Sequence, residues 1–296
     1  MAPSARWSVL APAVFVLIWS TGFIVARLGM PHAPPWTFLL WRFLLSIPLF
    51  LGWAWMARSP WPVDRRTYWH LAVMGALMHA GYLGGVWSAV KAGMGAGLVS
   101  MIVALQPILT AILVQPEPGF KDGGRAFSGR WLGLGLGFVG VVLVLWQKLH
   151  LPTTAGALSF TSVLFALAAL LSITFGTLYQ KRHLAPVDLP VASSVQLLAA
   201  AVIAAPLAGL ESEGMAWNEA LVFALGWSVL GLTLGASSLL YLLIRRGAVT
   251  AVASLMYLVP PTTAILAWVW FDEPVTGLTL VGTAFVAAGV ALAIRR

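Results

Sequence analysis

The chain has 296 residues, of which 60% are hydrophobic and only 9% charged, with a net charge of +8, 15 tryptophans and no cysteine. A soluble domain usually carries about 25% charged residues, and its outside must face water, so a water-soluble globule is excluded. The lack of cysteine removes disulfides, thiolate catalysis and cysteine-based metal sites, and the positive balance reads as a topology signal beside membrane spans rather than as a nucleic-acid footprint.

Ten apolar segments follow in chain order, roughly at 8–27, 36–57, 69–90, 95–115, 130–147, 159–180, 189–209, 219–244, 248–271 and 277–294, each near the ~20 residues that a bilayer requires. Pro- and Gly-rich breaks such as GMPHAPP, RSPWPVDRR, QPEPGFKDGGR and DEPVTG separate them. The first run, Trp7–Ala26, has 20 residues without a charge. It is read as a span, not as a cleaved leader. Thirteen of the 17 Lys and Arg fall on the N-terminal side of the alternating spans, and only Arg27, Lys91 and Lys148 on the other. That asymmetry puts both termini in the cytoplasm.

The chain repeats itself. KAGMGAGLVSMIVALQPILTAIL from Lys91 and RRGAVTAVASLMYLVPPTTAIL from Arg245 match at an offset of 154. The same offset pairs Gly22 with Gly176, Leu44 with Leu198 and Gly81 with Gly235. The last span continues at offset 149, with Gly133 against Gly282 and Gly140 against Gly289. Each half, 1–150 and 151–296, then holds five spans. Five is odd, so the second half enters the bilayer inverted, an arrangement that puts a substrate site near the midplane between the halves.

This layout resembles the drug/metabolite transporter superfamily, in particular its EamA-like members. The resemblance is carried by Trp19-Ser20-Thr21-Gly22-Phe23, by Pro35 with Trp41-Arg42-Phe43, and by the small-residue runs ending in Pro107 and Pro261. Glu117-Pro118, Glu273-Pro274 and the paired glycines of the fifth and tenth spans complete it. Within that group it is similar to YddG-type exporters of aromatic and hydrophobic amino acids. The resemblance implies a ten-helix bundle around a central cavity that opens to either side. QPEPGF departs from the pattern as a proline-broken form of the acidic ending.

A transport site needs polar groups at mid-depth, where lipid makes each one costly. His79 is the only ionisable side chain near the middle of a span. It is either a cavity residue, and then the obvious proton-coupling group, or a histidine bonded to a neighbouring backbone. Tyr82 shares its face at i+3, with Trp87 and Ser88 beyond. In the eighth span Thr233, Ser237 and Tyr241 form a stripe at i, i+4 and i+8. Thr233 stands in the repeat position of His79, and Tyr241 in that of Trp87. Two related helices thus carry polar-aromatic stripes at one depth, as a cavity for an aromatic or amphiphilic solute would need.

Ser100, Met101, Ser254 and Tyr257 are further candidates beside glycines 93, 95 and 97, which read as close helix packing. Trp19, Ser20, Thr174, Phe175 and Tyr179 complete the set, though Ser and Thr there can bond their own helix. Pro107 and Pro261 each free a carbonyl one turn earlier and serve as hinges or as structural kinks. Arg42 either binds a substrate carboxylate or, the favoured reading, snorkels or bonds helix carbonyls; its repeat partner is Gln196.

No Asp or Glu lies in a span core, which weighs against polycationic drugs. No phosphate-binding loop, hydrolase triad or metal cluster is visible, so neither cofactor nor metal is expected. The expectation is an inner-membrane, multi-pass exporter, not an enzyme, working by alternating access. Its partners are a small amphiphilic metabolite, an aromatic or hydrophobic amino acid foremost, and the bilayer, without nucleic acid; a monomer suffices. The alternatives are a broad exporter of drug-like or purine-like solutes, an integral-membrane enzyme acting on lipid, and a receptor or scaffold.

Overall fold

The computed structural model describes residues 5–113, 123–150, 159–183, 187–245 and 256–294. Among them every regular element is helical and none is a strand. In chain order these are α1 (Ala5–Gly29), α2 (Pro35–Met56) and a continuous run of α3 (Arg65–Met74), a π-helix (Gly75–Gly81) and α4 (Tyr82–Lys91). Then come α5 (Ala96–Val103), α6 (Gln106–Leu113), α7 (Gly123–His150), α8 (Phe160–His183) and α9 (Leu189–Gly209). A second composite run joins α10 (Glu219–Trp227), a π-helix (Ser228–Ala236) and α11 (Ser237–Arg245). A 3₁₀ turn (Met256–Leu258) leads into α12 (Val259–Phe271), and α13 (Gly277–Ile294) ends the fold.

Six stretches are long and apolar enough to cross a bilayer: Ala11–Gly29, Pro35–Met56, Arg65–Lys91, Phe160–His183, Leu189–Gly209 and Glu219–Leu240. Ala96–Thr110, Trp131–Val144, Val259–Phe271 and Gly277–Leu292 are shorter apolar helices. The chain is therefore an all-helical polytopic membrane protein. Trp55, Trp69, Trp146 and Trp268 stand exposed on its outside, which lipid and its interfaces tolerate and water does not.

The helix starts follow local chemistry. Asp64 and Asn218 cap α3 and α10 by accepting from the backbone N–H of Arg66 and Leu221. Pro35 and Pro190 stand in the first turns of α2 and α9, where a missing N–H costs nothing. Pro107 and Pro261 sit likewise at the starts of α6 and α12. In the fourth segment the helix stops at Val103 and restarts at Gln106, so Pro107 follows a break and does not bend a continuous helix.

Packing pairs elements from the two parts of the chain. α2 lies on α9 and α7 on α13. The first composite run packs on α8 as the second packs on α1, and α6 meets α8 as α12 meets α1. At the crossing of α7 and α13, a Cβ on Gly140 would stand 2.5 Å from the Gly282 carbonyl, and one on Gly282 would stand 2.6 Å from that of Gly140. Only glycine allows two backbones so close. The glycines of the fourth segment do otherwise. Gly93 takes a positive φ of 96° in the turn before α5, Gly95 precedes the helix, and Gly97 meets Ala264 at an ordinary 3.7 Å. The expected tight packing there is replaced by a turn that needs a residue without a side chain.

Candidate functional site

Two π-helices in one small protein are rare, and such wide turns concentrate at functional sites because they redirect the side chains around them. The stretch Ser228–Ala236, moved back by 154 residues, covers Gly75–Gly81. Each widened turn carries one of the paired polar residues, His79 in the first and Thr233 in the second. Both residues line a single cavity of about 340 Å³, within the range of small-molecule sites.

Each π-helix makes a hydrogen bond to a side chain of α2 or α9. Arg42 on α2 donates Nε–H to Thr233 Oγ1 at 3.0 Å, and Thr233 passes its own proton to the Ser228 carbonyl at 2.8 Å. Gln196 on α9 meets His79 Nε2 through Oε1 at 3.3 Å. Arg42 and Gln196 are 154 residues apart, as are His79 and Thr233. The two contacts thus join residues related by the same sequence offset. The close approach of Gly75 to the Gln196 backbone, which leaves no room for a Cβ, brings α9 within reach of His79.

The rest of the lining is apolar and aromatic: Trp19, Phe23, Met74, Met78, Tyr82 and Trp87, with Ser193 and Ser237 as further hydroxyls. His79 stands edge-on to Phe43 with ring centroids 6.3 Å apart. The cavity runs from this depth to Gln180, Val187 and Leu189, where α8 ends and α9 begins. No lining residue comes from the loops at the opposite end of the bundle. That end is tied across the halves. Glu211 accepts from the N–H groups of Trp36 and Thr37 at 2.9 and 2.7 Å, Lys91 pairs with Glu213 at 2.5 Å, and Glu273 accepts from Ala96 N–H at 3.1 Å. These are the carboxylates that a lipid-directed enzyme would need at the interface, and here they hold helix ends and a lysine.

Of the residues singled out in the sequence, His79, Tyr82, Trp19, Thr233 and Ser237 line the cavity. Ser100 and Met101 do not. Ser100 is buried and bonds the Gly97 carbonyl in its own turn. Met101 borders a much smaller void beside Glu273 and receives a contact from the Thr283 hydroxyl. The fourth segment packs against α8, α12 and α7, so its small-residue face is spent on helix contacts. Thr174 bonds the Leu170 carbonyl of its own helix, and Phe175 is exposed. Tyr179 meets His70 Nδ1 at 2.7 Å outside the cavity lining. Tyr241 belongs to α11 and Tyr257 to the 3₁₀ turn, but their side chains lie outside the described residues, as do Ser254 and Glu117-Pro118 altogether.

Arg42 corrects the favoured sequence reading. It neither snorkels nor bonds a helix carbonyl; it is 6% exposed and lines the cavity. Gln196, Met74, Met78 and Phe23 also line it without having been singled out for it. The offset of 154 was the available signal for Arg42 and Gln196, because it pairs them as it pairs His79 and Thr233.

Comparison with known proteins agrees with this architecture. An uncharacterized transporter of Bacillus subtilis, YvbV, is 25% identical, covering 98% of this chain and 92% of its own length. A probable amino-acid metabolite efflux pump of Salmonella typhimurium is 26% identical over 93% and 90% of the two chains, and one of Escherichia coli is 24% identical over 97% and 94%. A solved crystal structure shares the fold with a TM-score of 0.64 and 19% identity over 97% of each chain. The profile of the EamA-like transporter family matches residues 6–146 and 160–295, nearly the whole sequence, and the chain belongs to that family.

Proposed function

We propose that the protein is a secondary transporter exporting small amphiphilic metabolites, aromatic and hydrophobic amino acids foremost, by alternating access between two inverted five-span halves. The observation that carries this reading is the pair of offset-related hydrogen bonds, Arg42 to Thr233 and Gln196 to His79, at a cavity lined from both halves. A site on a pseudo-two-fold axis is what rocking of one half against the other requires. The two stretches matched by the family profile, split near residue 150, support the same division. Two relatives are named as amino-acid metabolite efflux pumps, which supports an amino acid or a derivative as substrate.

The cavity reaches the end of the bundle that carries Arg65, Arg66, Lys181 and Arg182. By the distribution of positive charge this end and both termini are cytoplasmic. The cross-half ties of Glu211, Lys91–Glu213 and Glu273 then hold the outer end shut. This geometry suits an inward-facing state ready to load a cytoplasmic solute. His79 is the candidate for proton coupling, and the helix break before Pro107 and the segment at Pro261 are the candidate hinges.

Counterflow in proteoliposomes tests the proposal. Vesicles are loaded with unlabelled Phe, Trp, Met, Thr, a purine or a quaternary ammonium, and a trace of the same labelled solute is followed. Protein-dependent counterflow of Phe, Trp or Met is expected, lost in His79→Ala and Tyr82→Ala proteins that remain folded. Movement of the quaternary ammonium alone, or flux indifferent to both substitutions, would overturn it.

A further inference from the structure

Arg42 stands apart from the rest of the lining. It carries a fixed positive charge, and among the described lining residues none is an Asp or Glu. The ion pairs found among the described residues, Arg27–Glu273 and Lys91–Glu213, lie at the far end. A buried charge without a counter-ion is costly. The Trp87 ring, 5.2 Å from the guanidinium carbon, offsets only part of that cost. Thr233 satisfies Nε, but Nη1 is buried with no hydrogen-bond partner.

Trp87 repeats the shortage. Its ring is buried against Phe38, and its Nε1–H is likewise without an acceptor. Two orphaned donors, one of them charged, thus belong to two touching residues of the cavity wall. A neutral acceptor would leave the charge uncompensated, and a cation would be repelled. A carboxylate accepts from a guanidinium and neutralises it.

We propose that the cavity recognises its substrate by a carboxylate, held by the Arg42 guanidinium beside Trp87, while Trp19, Phe23, Met74 and Met78 cover an apolar body. This rests on the transport reading above and narrows it. Among the described lining residues no carboxylate stands to pair with an ammonium, so the carboxylate is the group that is read. Deaminated aromatic acids are therefore ligands on a par with the amino acids, and the decarboxylated amines are not.

The test uses the full-length protein in detergent micelles and compares matched probes on one phenyl body: 3-phenylpropionate, L-phenylalanine, 2-phenylethylamine and 3-phenylpropionamide. Binding is read by thermal stabilisation and by competition with labelled L-phenylalanine in counterflow. The acid and the amino acid should bind about 10- to 100-fold more tightly than the amine and the amide, the range of a hydrogen bond to a charged group. Arg42→Gln should abolish that preference, and Arg42→Lys should restore part of it. If Arg42→Gln does not fold, the wild-type series still decides. An amine or amide that binds as well as the acid, a carboxylate preference that survives Arg42→Gln, or failure of the acid and the amino acid to bind would overturn the proposal. Binding of the acid without any counterflow of L-phenylalanine would instead defeat the transport reading and leave carboxylate recognition standing.

Discussion

The two composite helices occupy the same repeat position, widen into π turns at the same place and pack on repeat-related partners, yet their crossings differ. The first run is pressed against α8. A Cβ on Gly85 would stand 2.7 Å from the Phe165 carbonyl and 2.8 Å from the Ala169 nitrogen, and one on Gly176 would stand 2.6 Å from Met78 Cγ. The second run meets α1 more loosely. A Cβ on Gly22, the repeat partner of Gly176, would find only Leu232 at an ordinary 3.6 Å. The lesson is that a repeated residue keeps its place in the fold without keeping its task. The crossing of the first run with α8 is close, that of the second run with α1 has room to shift, and a solute between them meets unequal walls.

The polar pairs differ in the same sense, and breaking them should give the largest effect. Thr233→Val removes the acceptor of a charged, buried donor and should cost about 1.5–3 kcal/mol. Gln196→Leu removes a longer bond to the half-buried His79 and should cost about 1 kcal/mol or less. Thermal unfolding in micelles ranks the two. Equal losses would mean that the arginine takes no more from its bond than the histidine does, and the asymmetry of charge would carry no energetic weight.

The glycine contrast comes next. Gly85→Ala forces a methyl against fixed backbone and should cost about 1–3 kcal/mol. Gly176→Ala should cost less, because Met78 can move. Gly22→Ala should fall within about 0.5 kcal/mol of wild type. A Gly22→Ala protein as unstable as Gly85→Ala would show that both crossings are tight and would remove the distinction between the walls.

Much of this was legible in the sequence because lipid imposes simple patterns. Apolar length located the six helices long enough to cross a bilayer, while the paired glycines of α7 and α13, legible in the sequence only as a repeat, stand where backbone contact demands glycine on both sides. His79, Tyr82 and Thr233 were found because a polar group in an apolar helix needs a reason. The π turns were not legible, as no residue type obliges one. Ser100 and Met101 misled because small and soft side chains suit helix packing as well as a cavity. Arg42 misled in the other direction. Its position only a short way into α2 allowed snorkelling, and only the approach of the second π turn shows that the side chain turns inward instead.

The smallest expected effect lies at the end opposite the cavity mouth, the outer end on the proposed orientation, where Lys91, Glu211 and Glu273 tie helix ends together. Lys91→Met removes the pair with Glu213, whose side chain is 61% exposed, along with a bond to the Met30 carbonyl. An exposed ion pair contributes about 0–1 kcal/mol, so unfolding should barely shift. Its consequence is expected in the balance of states, because a tie present in only one state biases that state by whatever it contributes. Up to about 1 kcal/mol changes the ratio of inward- to outward-facing protein by about five-fold or less. Cysteine pairs across the outer loops, in a chain with no native cysteine, report that ratio by cross-linking yield. A lower yield in Lys91→Met at unchanged stability is the expected result, and on the proposed mechanism it makes the lysine part of what holds this end shut. An unchanged yield would mean that Glu211 and Glu273, which hold helix N-termini of the first half from loops of the second, keep the outer end shut without the lysine.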